Sequence, residues 1–343
     1  MDFYYAKIDA VPDDKLKIAS KRQYKDKLRL LSANFNQDVE YMLTHAEETF
    51  KWICEKHPQE KDIHMRKAFV QSIMCLYKHI PDLKDKDKEQ FKIWKGYAET
   101  TSEAGKKAQM SNKLSEAKQK GWVEWDKIVE MRDELAKSEY ASQKHLLLSC
   151  YTYIPPLRAD WALARILTKA PTKKAEKAKG NYIVITQRTA TLILNDYKTS
   201  RSYGRAEIKL PAELKKIIQA SYTATLKKQE EAHFDWNMRQ EEKNKTIFHP
   251  RLFTNANNLK WESNDSFTSW CCKRFNDMFG KPLNLTLIRH IFASRPEIRN
   301  LPTYERNRIA TEGMLHSFIT HDCYKTITPT EPSEAGSTTA NEC

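Results

Sequence analysis

Residues 181–210 read NYIVITQRTATLILNDYKTSRSYGRAEIKL, and this stretch decides the fold class. Asn181–Ile185 and Thr191–Asn195 are short β-branched runs, while Arg205–Leu210 alternates Ala206, Ile208 and Leu210 with Arg205, Glu207 and Lys209. The intervening Tyr-Lys-Thr-Ser-Arg-Ser-Tyr-Gly reads as a hairpin turn carrying Lys198. A small antiparallel sheet is expected here, inside a chain whose remaining texture is helical. The predicted fold is therefore mainly α with a small antiparallel β-sheet, an α+β class.

Working outward, glycine is scarce, with eight residues in 343. The periodicity predicts helices near 13–33, 37–56, 63–79, 86–117 and 122–150, and again near 212–245, 264–279, 285–295 and 303–313. In the second of these, Val39, Leu43, Ala46, Phe50 and Ile53 share one apolar face opposite Glu40, Glu47, Glu48 and Lys51. The charged run GKKAQMSNKLSEAKQK from Gly105 to Lys120 is poor in large apolar residues, and an apolar pattern resumes at Trp122 and Trp125. The expected organisation is an N-terminal arm at 1–19, a helical domain at 20–117, a second domain at 118–325 and a disordered polar tail at 326–343, rich in Thr, Ser, Pro and Glu.

The net charge of +13 favours a polyanionic partner but alone leaves DNA, RNA and an anionic membrane surface open. No apolar run approaches the roughly 18–20 residues a membrane span needs, and MDFYYAKIDAVPDDK lacks the order of a signal peptide. A protein made and kept in the cytosol, or reaching the nucleus from there, is expected, and not a secreted one. The seven scattered cysteines offer no CxxC spacing, so they read as reduced thiols with no metal site.

Five residues carry the chemistry: Arg158 in YTYIPPLRADW, Lys198 in NDYKTSRSYG, Arg289 in LTLIRHIF, His316 in MLHS, and Tyr324 eight positions later. A phenol can attack a phosphodiester and store its bond energy as a phosphotyrosine, while cationic side chains neutralise the pentavalent phosphate and an acid protonates the departing oxygen. Singly, each residue has an ordinary reading. An arginine pairs at a helix start, a lysine sits in a turn, a histidine fills a core, and a tyrosine packs. Their order is what speaks. Asp160 is placed to pair with Arg158, and Leu285, Ile288 and Phe292 would anchor Arg289 on an amphipathic helix.

That order, Arg, Lys, Arg-His, His-Ser, Tyr, resembles the tyrosine recombinases, or integrases, and in particular those of large DNA viruses, virophages and related eukaryotic mobile elements. The resemblance covers roughly 120–325. It implies that Arg158 and Arg289 clamp the scissile phosphate, Lys198 protonates the 5′ oxygen, His316 hydrogen-bonds a phosphate oxygen and Tyr324 becomes linked to the 3′ phosphate. It also implies integration or excision of a viral or mobile genome, no metal or nucleotide cofactor, and a homotetramer acting on two sites in double-stranded DNA. Two positions depart from the pattern. Thr286 stands where many relatives have His or Lys, and a threonine cannot act as a proton carrier near neutral pH, so His290 or a water would have to substitute. Leu315 stands where many have Gly.

Lys173, Lys174, Lys177 and Lys179 in the lysine-rich stretch before the predicted sheet, with Arg201 in the Lys198 turn, are candidate phosphate contacts that give affinity without reading sequence. Lys21, Arg22, Lys25, Lys27, Arg29, Arg66 and Lys67 offer a second basic face. The alternatives are a type IB topoisomerase, which shares the chemistry, a catalytically inactive DNA-binding relative, and a basic RNA-binding or packaging protein.

Overall fold

The computed structural model describes residues 2–110, 114–173, 177, 180–241 and 244–325. The chain forms two compact units, 1–111 and 112–343. The predicted polar tail, together with Lys174 and Lys179, lies outside the described residues.

The first unit is helical: α1 (Asp2–Asp9), α2 (Ile18–Phe35), α3 (Val39–Thr44), α4 (Ala46–Lys56), α5 (Ile63–His79), α6 (Pro81–Lys86) and α7 (Lys88–Met110). Its core gathers Ile8, Leu28, Leu31, Met42, Ile53, Val70, Ile73, Leu76 and Trp94, all fully buried. Two aromatic side chains meet α3 carbonyls, Trp94 Nε1 donating to Met42 at 3.1 Å and the Tyr77 hydroxyl to Leu43 at 3.1 Å. The expected single helix over 37–56 is broken at His45, which ends α3 and begins α4 with φ −127°. The expected arm at 1–19 is instead part of this core, because Ile8 is fully buried on α1. Lys21 donates to Asp13 at 2.7 Å and Lys25 to Asp9 at 2.6 Å, so two of the candidate basic residues hold α2 to the segment before it.

The second unit contains α8 (Glu116–Gly121), α9 (Trp125–Ser138), α10 (Gln143–Thr152), α11 (Ser200–Tyr203), α12 (Ala212–Met238), α13 (Asn264–Phe279), α14 (Leu285–Ser294), α15 (Pro296–Arg299), α16 (Thr303–Arg308) and α17 (Phe318–Tyr324). Four strands, β1 (Arg165–Leu167), β2 (Tyr182–Ile185), β3 (Ala190–Leu194) and β4 (Ala206–Lys209), form one sheet in the order β1-β2-β3-β4. The predicted antiparallel pairing is present, with Ile183 opposite Leu192 and Leu192 opposite Ile208, but the segment read as a hairpin turn contains the short helix α11. The three-residue β1, which the sequence did not reveal, adds to β2 in parallel, making the sheet mixed.

Burial explains the sequence texture. α10 has almost no polar face because Leu146, Leu147, Leu148 and Tyr151 are all fully buried, in one core with Ile183, Leu192, Leu214, Phe253, Phe267 and Ile288. Each such aliphatic or aromatic side chain contributes about 1.5–3 kcal/mol. The expected helix over 122–150 is interrupted between α9 and α10, where Ala141 takes φ +58° and Ser142 caps α10 by accepting the His145 N–H. Beyond α16, a π-type turn at Ile309–Gly313 leads into the loop that carries His316.

Candidate active site

Arg289 is the centre of the site. It lies in the middle of α14, whose N-terminus is capped by the Asn284 side chain and whose residues Leu285, Leu287, Ile288, Ile291 and Phe292 are buried. Its guanidinium is 0% exposed and is held on two sides. Nη1 donates to the Pro156 carbonyl at 2.5 Å, and Nη2 to the Met314 carbonyl at 3.2 Å and to His316 Nδ1 at 3.0 Å. Arg289 thereby joins the Pro155-Pro156 turn before Arg158 to the loop of His316. Its Nε has no hydrogen-bond partner among the described residues.

An arginine N–H can only donate, so His316 Nδ1 accepts and its proton sits on Nε2. That Nε2–H is buried and also lacks a partner among the described residues. Burial, with the nearby charge of Arg289, pushes the His316 pKa down to about 2, and the ring is neutral. His316 stacks on Tyr324 at 5.1 Å between ring centroids and 26° between planes, while the Arg289 guanidinium lies 5.1 Å from the Tyr324 centroid.

Tyr324 ends α17, which Ser317 caps by accepting the Thr320 N–H. Burial raises the phenol pKa, but the charge of Arg289, a hydrogen bond from Arg289, and the charges of Arg158 and Lys198 outweigh it and leave the group below the ordinary tyrosine value. His290 packs edge-on against Tyr324 at 4.6 Å, and its Nδ1–H donates to the Tyr324 backbone carbonyl at 2.9 Å. His290 thus positions the tyrosine main chain, with burial holding its own pKa down to about 4. Thr286, one turn earlier on α14, is exposed.

Arg158 is half-buried at the start of a short 3-10 turn. The buried Asp160 accepts the Arg158 backbone N–H at 3.1 Å, and the Tyr151 hydroxyl donates to the Arg158 carbonyl at 2.6 Å. Burial raises the Asp160 pKa, opposed by the charges of Arg158 and Arg289. Lys198 is exposed in the β3–β4 connection. Of the candidate phosphate contacts, Lys173, Lys177 and Arg201 are exposed. The Lys177 carbonyl accepts the Asn195 side-chain amide at 2.9 Å, which fixes it beside the end of β3.

Several positioning residues escaped the sequence reading. The buried Asn181 side chain makes four hydrogen bonds: its amide donates to the carbonyls of Asp160 at 3.1 Å and Asp196 at 2.9 Å, and its oxygen accepts the N–H groups of Asn195 and Asp196 at 3.0 Å each. It ties the Arg158 turn to the Lys198 turn. Thr199 donates to the Leu315 carbonyl at 2.7 Å, tying the Lys198 turn to the His316 loop. Leu315 has φ +53°, the left-handed conformation that glycine adopts without strain, although its side chain is 3% exposed. His321, fully buried and 5.6 Å from the His316 ring, has neither ring nitrogen partnered among the described residues.

The arrangement offers a phenol of lowered pKa, two buried N–H donors without acceptors among the described residues, and three cationic side chains, a set suited to holding and attacking a phosphate ester. Among the described residues, no group of three or more His, Cys, Asp or Glu side chains is arranged to hold a metal ion. A cavity of about 640 Å³ lined by His233, Trp236, Phe248 and Lys260 includes none of these site residues. No helix among the described residues is long and apolar enough to cross a membrane.

The chain matches no protein-family model and no curated protein. Among solved structures it is similar to the crystal structure of XerA recombinase, over 96% of this chain and 94% of that one, at 10% sequence identity and a TM-score of 0.37.

Proposed function

We propose that this chain is a DNA recombinase that cleaves and rejoins strands through a 3′-phosphotyrosine at Tyr324. The observation that carries the reading is the Tyr324 phenol, set beside the hydrogen-bonded pair of Arg289 and His316 in the field of Arg158 and Lys198. The phenol oxygen attacks phosphorus as its proton passes to solvent, the bond to the 5′ oxygen breaks, and one phosphate ester replaces another, so the bond energy is retained for rejoining. Arg158 neutralises the phosphate from its half-exposed position, and the Arg289 Nε–H and His316 Nε2–H donate to its oxygens. Lys198 protonates the leaving 5′ oxygen. The net charge of +13 and the exposed Lys173, Lys177 and Arg201 suit a double-stranded DNA partner. The finer reading is a homotetramer on two DNA sites that inserts or excises a viral or mobile genome, in the cytoplasm or nucleus of a host cell, with no metal or cofactor in the reaction.

The test uses nicked suicide DNA fragments incubated with wild-type protein and with Tyr324→Phe. An SDS-resistant protein–DNA adduct with wild type alone is the expected result. No adduct across many DNAs, or an equal adduct with Tyr324→Phe, would overturn the assignment. Strand exchange between two DNA sites, as opposed to relaxation of supercoils without a partner, then distinguishes a recombinase from a topoisomerase.

A further inference from the structure

α8 is pressed onto the start of α14. A Cβ on Gly121 would lie 2.6 Å from the Pro282 carbonyl oxygen and 2.9 Å from Leu287 Cδ2, so only glycine permits this approach. Two further contacts fix the segment: Lys281 donates to the Trp122 carbonyl at 2.8 Å, and Trp125 packs edge-on against Phe292 at 5.3 Å. Lys118 stands three residues before Gly121 in α8 and so shares its face. It is half-buried, in Coulombic reach of both the Tyr324 phenol and the His290 ring. Burial lowers its pKa, and the phenol opposes that shift. A lysine on a surface helix ordinarily extends its amine into water. This one is instead half-buried near the Tyr324 phenol and the His290 ring, and His290 lies one turn along α14 from the uncharged Thr286.

We propose that Lys118 is a further phosphate-binding residue of this site, supplying from α8 a cationic donor to the scissile phosphate on the side where Thr286 offers none. The inference rests on the phosphotyrosine reading above. It assigns the α8 segment a direct part in the chemistry, and Gly121 the role of holding that segment at the right depth.

The experiment compares wild type, Lys118→Met, Lys118→Gln and Lys118→Arg for the rate of covalent adduct formation on a nicked DNA fragment at saturating protein, with DNA affinity and melting temperature measured in parallel. Methionine keeps the apolar stem and removes the charge. The expected result is adduct formation slowed about 10- to 100-fold in Lys118→Met. DNA affinity should stay within about threefold, the melting temperature should be unchanged, and Lys118→Arg should recover most of the rate. A Lys118→Met rate equal to wild type at saturation overturns the proposal, as does a rate loss that follows a loss of melting temperature in both Lys118→Met and Lys118→Gln. Failure of wild type itself to form an adduct overturns the functional reading and this proposal together, whereas a wild-type adduct with an unimpaired Lys118→Met overturns this one alone.

Discussion

The Thr199 hydroxyl donates to the Leu315 carbonyl at 2.7 Å, so the turn that presents Lys198 is fastened to the loop that presents His316. Removing the donor with Thr199→Val leaves a carbonyl of a buried residue without its partner, at a cost of about 1–3 kcal/mol. Chemical denaturation should show that loss, with Thr199→Ser close to wild type. Equal stability of the valine variant would mean that the loop is held by other contacts.

Arg158 and Arg289 should separate in their effects on the fold. Arg289 is fully buried and bonded to two carbonyls and a histidine, so Arg289→Ala, which leaves those acceptors unpaired and a cavity behind, should lower stability by about 2–5 kcal/mol and abolish adduct formation together. Arg158 is half-exposed and its backbone makes the contacts that shape its turn, so Arg158→Ala should abolish adduct formation while melting within a few degrees of wild type and still binding DNA. Matching losses of melting temperature in the two variants would remove this distinction.

Leu315→Gly tests two opposing terms. Relief of the left-handed backbone is worth about 1–2 kcal/mol, whereas the buried leucine side chain is worth about 1.5–3 kcal/mol, and glycine adds about 0.5–1 kcal/mol of unfolded-chain entropy. The net expectation is a destabilisation of roughly 1 kcal/mol, read from thermal or urea unfolding. A more stable glycine variant would show that the strain outweighs the packing.

Acid should weaken the fold through its histidines. Burial holds His316 down to about 2 and both His290 and His321 to about 4, against an ordinary value near 6.5. Their folded-state values are depressed, so stability is full above about pH 6.5 and is lost as the pH falls toward about 4, because the unfolded chain takes up protons first. Each histidine adds up to about 1.4 kcal/mol per pH unit inside that window. His321→Leu, which removes two unpartnered buried nitrogens, should raise stability near pH 7 and flatten the acid slope by one proton. An unchanged slope in unfolding experiments between pH 7 and pH 4 would count against a neutral buried His321.

The sequence made the strong elements legible because their patterns are local. The β-branched runs of β2 and β3, the alternation in β4 and the periodicity of α13 and α14 each follow from neighbouring residues alone. β1 was not legible: three residues carry no period, and Arg165–Leu167 becomes a strand through pairing with β2. The break at Ala141 also lacks a marker, since neither glycine nor proline announces it. At the site, residue order singled out Arg158, Lys198, Arg289, His316 and Tyr324. The parts played by Asn181, Thr199 and Lys118 depend on which segments the fold brings side by side, and nothing in their immediate neighbours encodes that.

The site depends on the Asn181 side chain remaining an amide. Only an amide can donate to two carbonyls with one end and accept two N–H groups with the other, and a flipped ring of contacts would set oxygen against oxygen. Hydrolysis of that amide to a carboxylate would turn both donated bonds into repulsions between the turns of Arg158 and Lys198. Protein that had lost this one nitrogen would keep its helices and its sheet while the two cations drifted out of register.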